Sequence, residues 1–169
     1  MLEGFRRHHL SKKEARRVAE EARGLLGVEM PRRASYELAR GRDIEIILVD
    51  GAPVFAVISG KLVPTLHYLL VNRKAMEHLP RVVVDEGAVA PVSRGADIMA
   101  PGITEVRGEF GKGSIVVVVD PRHGMPLAVA EALFSSEEIK EMRKGKVLRN
   151  LHHVGDRIWR AAPPPRLGR

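Results

Sequence analysis

Residues 82–103, VVVDEGAVAPVSRGADIMAPGI, constrain the fold of this chain more than any other stretch. The valines Val82, Val83 and Val84 predict a strand that stops at Asp85. The Asp85 carboxylate can accept the free N–H groups of a first helical turn, so a helix is predicted to start at Glu86. Ala88, Val89 and Val92 give it one apolar face. Gly95 supplies the stop, where a positive φ suits glycine. Residues 96–103 then hold Pro101-Gly102 and almost nothing bulky. A stiff, small-residue surface beside Arg94 lets another molecule's backbone approach closely. That is a layout for binding, and it contains no nucleophile with a base.

Elsewhere the N-terminal half reads as a helix laid on a sheet. Ser11 with Glu14 is a capping box, in which the serine caps the helix and the glutamate reaches back. Ala15, Val18, Ala19, Ala22, Leu25 and Leu26 fall at helical spacing, and Gly27 ends the run. Residues 43–49 read as a strand, Asp50-Gly51 as a hairpin turn, and residues 54–58 as the returning strand, turned again at Ser59-Gly60. A second helix enters at Pro64-Thr65. The break at residues 78–80 is the expected domain boundary, and residues 161–169, with Pro163, Pro164 and Pro165, read as a frayed tail.

Composition narrows the classes of function. The chain of 169 residues has no cysteine, which removes disulfides, thiolate metal sites and cysteine catalysis. No run of 18 apolar residues is present, so no membrane span is expected, and the N-terminus lacks the apolar core of a signal peptide; a cytoplasmic location follows as an expectation. The formal net charge of +7 suits a polyanionic partner, through phosphate neutralisation. The excess is uneven: residues 1–42 carry 11 Lys/Arg against 6 Asp/Glu, and residues 81–169 carry 14 against 11. The plain alternative is an arginine-rich solvated surface.

The motif order continues downstream. Gly111-Lys112-Gly113-Ser114 precedes a strand at residues 115–120. The run from Gly124 to Ala130 follows, then a helix at residues 136–144, a strand at 147–153 entered by Gly145-Lys146, and a closing run from Gly155 to Trp159. Taken with residues 82–103, this series resembles a PUA domain, the RNA-binding module named after pseudouridine synthases and archaeosine transglycosylases. The N-terminal half, through residues 43–49, Asp50 to Phe55 and Pro64 to His67, resembles the pre-PUA domain of the malignant T-cell amplified and translation-machinery-associated re-initiation factors. The archaeal form fits best, since the chain is compact and has no long insertions.

The resemblance implies an α+β protein: a helix-on-sheet pre-PUA domain over residues 1–78, then a PUA pseudo-β-barrel over 79–160 with about six strands and two helices. It implies a non-catalytic RNA-binding role on the translation machinery, docking on the small ribosomal subunit near the tRNA in initiation, re-initiation or recycling. Structured RNA, tRNA or rRNA, is the implied partner. In the eukaryotic relatives the N-terminal domain also pairs with a second protein bearing an initiation-factor-like domain. Family members use the helix-to-strand loop as one lip of the RNA surface, here Arg94, Gly95, Ala96, Met99, Pro101 and Gly102. The last strand is the other lip, here Lys146, Arg149, Asn150 and His152.

Each feature has a plainer reading beside it. Arg94 alone is better read as a solvated turn residue. Lys140, Arg143, Lys144, Lys146 and Arg149 suit the C-terminal end of a helix dipole as well as a phosphate. His152 and His153 are adjacent on a strand and point to opposite faces, so one packs inward and the two cannot chelate one metal together. His8-His9 has no third ligand. Gly111-Lys112 is not a phosphate loop, because position 106 is Val106 and Gly113, not Ser or Thr, follows Lys112. Ser135, Ser136 and Asp85 read as helix caps, and Asp97 stands beside Arg94 with no carboxylate or histidine to work with. Neither a catalytic set nor a cofactor motif emerges. Trp159, Tyr36 and Tyr68 make no stacking platform, which favours recognition of RNA by shape and backbone. Two rivals remain: a ribosome-biogenesis factor with the same domain order, and the RNA-binding subunit of an RNA-modifying enzyme.

Overall fold

The structure, a computed structural model, describes residues 2–31 and 33–163. Within these, two compact units form: residues 2–78 together with 157–163, and residues 79–156.

The first unit opens with β1 (Arg6–His9) and α1 (Lys12–Leu26). Both halves of the capping box are made at the start of α1, Ser11 with Glu14, and Gly27 closes the helix at φ 62°. A Cβ on Gly27 would lie 2.6 Å from His78 Nδ1, so glycine is needed here for space as well as for conformation. Val18, Ala22 and Leu26, four residues apart, are the buried stripe of α1. The chain then runs through β2 (Tyr36–Arg40), β3 (Glu45–Val49), β4 (Ala52–Ile58) and β5 (Lys61–Pro64). These pair in sequence order as an antiparallel sheet, β1-β2-β3-β4-β5. The turns at Asp50-Gly51 and Ser59-Gly60 have positive φ at both positions, which matches the twist of the flanking strands. Two short helices follow, α2 (Leu66–Val71), capped by Thr65 as its position after Pro64 suggests, and α3 (Arg73–His78).

The second unit contains β6 (Arg81–Val84), α4 (Glu86–Ser93), β7 (Ile98–Met99), a 3-10 turn at Ala100–Gly102, β8 (Ile103–Arg107), β9 (Ile115–Val119), β10 (Pro126–Ala132), α5 (Ser136–Glu141) and β11 (Lys146–His153). The sheet order is β7-β11-β10-β9-β6-β8. Its two edge strands, β7 and β8, are joined by the three residues Ala100–Gly102. A link that short forces the two edges of the sheet toward each other, and this is what curls six strands into a pseudo-barrel. All five residues of β9 are buried, so this central strand is covered on both faces. One core holds Val82, Val84, Val92, Ile98, Val116, Val118, Ala128, Ala130 and Leu148.

Three details differ from the sequence reading. Helix α5 ends at Glu141, three residues early: Met142 is extended, and Gly145, at φ 92°, turns the chain into β11. Residues 157–160, grouped by sequence with the second domain, form part of α6 (Arg157–Ala161), a helix of the first unit. Ile158 enters a cluster with Ala39, Ile46, Leu48 and Ala56, and Arg157 pairs with Asp43 at 2.8 Å. The start of the expected tail is held as well: Ala162 is buried, and the Ala161 carbonyl accepts the Leu2 N–H. Residues 164–169 of that tail lie outside the described residues.

Candidate nucleic-acid interface

The small-residue loop after α4 is a ribbon fixed along strand β11. Asp85 starts α4 by accepting the Ala88 N–H at 2.9 Å. Pro91 lies inside this helix and removes one bond, a cost that an eight-residue helix pinned at both ends absorbs. At the C-terminus Gly95, at φ 100°, donates its N–H to the Val92 carbonyl. From there the loop runs antiparallel to β11. Gly95 lies against His153, Asp97 bonds Asn150, Ile98 pairs with Leu148, Met99 with Lys146, and the Ala100 N–H reaches the Gly145 carbonyl. Beyond the turn, the Gly102 carbonyl takes the Asp85 N–H and returns the chain to the start of α4.

Two side chains lock this ribbon. The Asn150 Nδ2 donates to the Val92 carbonyl at 3.1 Å and to the Ala96 carbonyl at 3.0 Å. Asp97 accepts the Asn150 N–H on Oδ1 at 2.8 Å and pairs with Lys146 Nζ through Oδ2 at 2.9 Å. Burial raises the Asp97 pKa, but the Lys146 and Asn150 hydrogen bonds and the Lys146 and Arg149 charges outweigh it, so the net shift is downward. Asp97 is therefore held by a lysine and a backbone N–H across the sheet edge.

The residues expected at the RNA surface fall into three groups. Arg94, Ala96, Met99 and Pro101 are exposed along the ribbon, and Arg94 has no carboxylate partner among the described residues. Gly95, Gly102 and Asn150 shape and hold the ribbon. Gly102 lets Ala88 approach, since a Cβ there would sit 3.3 Å from the Ala88 Cβ. Lys146 and Arg149 are exposed but paired, with Asp97 and with Glu131 (2.8 Å).

His152 does not face the surface. It is fully buried, and its Nδ1 bonds Asp156 at 2.8 Å. The reason is a β-bulge. Ala130 faces Asn150 while the next residue, Val129, faces His152, so Leu151 is extra on β11. Simple alternation would put Asn150 and His152 on one face. The extra residue turns His152 to the side of buried Val129 and brings His153 to the side of Asn150, beside Gly95. His153, not His152, is thus the histidine beside the ribbon, and no local signal marks the bulge. Among the described residues no three metal-ligating side chains gather, and no helix is long and apolar enough to cross a membrane.

Comparison with known proteins identifies both halves of the chain. The PUA domain family matches residues 80–154, and a domain of unknown function, DUF1947, matches residues 6–72. An uncharacterized protein of Methanocaldococcus jannaschii is 40% identical over 161 residues, 94% of this chain and 98% of that protein. Translation machinery-associated protein 20 of Saccharomyces cerevisiae is 34% identical over 77% of this chain and 74% of its own length. Malignant T-cell-amplified sequence 1 of Rattus norvegicus is 31% identical over 77% and 72%. Among solved structures, a hypothetical protein of Pyrococcus horikoshii superposes with a TM-score of 0.79 at 33% identity, covering 92% of this chain and 98% of that one. The chain therefore belongs to the family of translation machinery-associated protein 20 and malignant T-cell-amplified sequence 1, with a PUA domain as its second unit.

Proposed function

We propose that this protein is a non-catalytic RNA-binding factor of the translation machinery, acting at the small ribosomal subunit near the tRNA in initiation, re-initiation or recycling. The observation that carries this reading is Arg94, an exposed guanidinium with no carboxylate partner among the described residues, at one end of a rigid ribbon of small residues. A guanidinium holds phosphate oxygens through two parallel hydrogen bonds, and the small side chains of Ala96 and Pro101 let a nucleic-acid backbone lie close. At the other end of the ribbon stand Arg143, Lys144 and Lys146, all exposed. At about 3.3 Å per residue, the five steps from Arg94 to Met99, which faces Lys146, separate these ends by at most roughly 17 Å, room for more than one backbone phosphate. The relatives named for translation supply the setting.

Two measurements test it. Affinity for tRNA and rRNA is expected to fall steeply with salt, as counterion release requires. In a ribosome-profile sedimentation the protein is expected with the small subunit. Salt-independent binding, or no binding to either RNA, overturns the RNA reading. Sedimentation with the large subunit or its precursors replaces the proposed role with ribosome biogenesis.

A further inference from the structure

We infer that His153 is the residue by which this surface tells RNA from DNA, accepting a hydrogen bond from a ribose 2′-hydroxyl on Nε2. The inference rests on the RNA-binding reading above and names a contact within it.

The tautomer of His153 follows from its partners. The Nδ1 lies 2.9 Å from the carbonyl oxygen of Val154. A carbonyl only accepts, so Nδ1 carries the proton, and in the neutral ring Nε2 holds a lone pair. Nε2 has no hydrogen-bond partner among the described residues, and it is not among the polar atoms closed off from solvent. The ring is held in place on two sides. The His153 N–H donates to Asp156 Oδ2 at 2.9 Å, which fixes the backbone. The imidazole edge lies against Gly95, where a Cβ would stand 3.0 Å from Nε2 and 3.1 Å from Cδ2. An acceptor is therefore presented in fixed orientation next to Arg94.

The chemistry of that pairing selects its ligand. Phosphate oxygens are acceptors and repel the Nε2 lone pair, so neutral His153 cannot share the phosphate that Arg94 takes. The group it needs is a donor close to a backbone phosphate. In RNA the 2′-hydroxyl is such a donor, and DNA has none there. Val154, exposed beside the histidine, offers an apolar side chain to the ribose.

The test is filter binding of the full chain, at one fixed salt concentration, to an RNA hairpin with a single-stranded tail and to the DNA of the same sequence. The wild-type protein is expected to prefer RNA by about three- to tenfold, the range of one net hydrogen bond. His153→Ala is expected to bring this ratio close to one while DNA affinity stays unchanged. His153→Phe keeps a ring against Gly95 and lacks the acceptor, so it should give the same ratio and decides the matter if the alanine variant fails to fold. Arg94→Ala should weaken RNA and DNA by the same factor. An RNA-to-DNA ratio that survives His153→Phe overturns the inference and leaves the RNA-binding reading standing. Absence of RNA binding by the wild-type protein overturns that reading itself.

Discussion

Asp97 and Lys146 form an ion pair at 2.9 Å that closes the loop ribbon onto the strand beside it. Asp97 is the more shielded of the two: its side chain is 29% exposed, against 52% for Lys146. The pair alone contributes little in that setting. The larger contribution is the Asn150 N–H, which Asp97 Oδ1 satisfies and which would otherwise be left without a partner. Asp97→Ala is expected to cost about 1–2 kcal/mol, and Asp97→Asn, which keeps an acceptor, less. The folded-state pKa of Asp97 is depressed, so its contribution is complete above the unfolded aspartate value of about 3.9 and is lost as pH falls through the lower folded value. Urea titrations of wild type and Asp97→Ala at falling pH should show the gap between them narrowing below about pH 4. A gap constant down to the acid transition would assign the effect to packing.

Gly95 combines two demands, a φ of 100° and a bare Cα against the His153 ring. Gly95→Ala is expected to cost about 1–2 kcal/mol from the backbone conformation, plus the steric contact. Gly111→Ala, with open space and no positive φ, serves as the control and should stay within about 0.5 kcal/mol. Adding His153→Ala to Gly95→Ala should recover the steric part and leave the conformational part. Thermal melts of wild type, Gly95→Ala, His153→Ala, the double variant and the Gly111→Ala control resolve the two, and full additivity would show that the ring yields freely.

What could be read from sequence was local. Ser11, Thr65, Asp85 and Ser135 cap their helices through bonds to residues three positions on, and Asp50-Gly51 turns the chain within two residues, so their chemistry is visible in a short window. What could not be read depends on partners far along the chain. Lys146 and Arg149 look free in sequence, and their carboxylates, Asp97 and Glu131, come from β-pairing across the sheet. The extra residue at Leu151 reverses the two histidines, yet nothing in Asn150-Leu151-His152-His153 encodes it, because a bulge is set by the register against β10. Pro91 would end most helices, and the bonds of Asn150 and Gly95 hold α4 together past it.

Arg94 is the sharpest test of the proposed interface. Arg94→Ala is expected to lower RNA affinity by about 1–3 kcal/mol, the range of a charge-assisted contact. It should also reduce the slope of log affinity against log salt by about 1. The melting temperature should not move, since the side chain is exposed and carries no ion pair among the described residues. RNA affinity unchanged across the salt series would make Arg94 a solvated turn residue and shift attention to Arg143 and Lys144.

Helix α6 leaves the end of the PUA domain and returns to the first unit, where Ile158, 6% exposed, fills a site among Ala39, Ile46, Leu48 and Ala56. These partners lie on β2, β3 and β4, so the sheet of the first unit is completed by residues more than 90 positions away in sequence. Truncating Ile158 leaves a cavity under three strands, whose side chains are held by the sheet and relax only partly into it. Ile158→Ala is expected to cost about 2–5 kcal/mol, and the loss should be confined to the first unit. A shortened chain ending at residue 156 removes the same side chain together with the Arg157–Asp43 pair and the Leu2 bond to Ala161. It should show faster amide hydrogen exchange in β2, β3 and β4 while β9 and β10 keep their protection. Equal loss of protection in both units would mean that they unfold as one cooperative body. Unchanged protection in β2 to β4 would mean that α6 only rests on a sheet already stable without it.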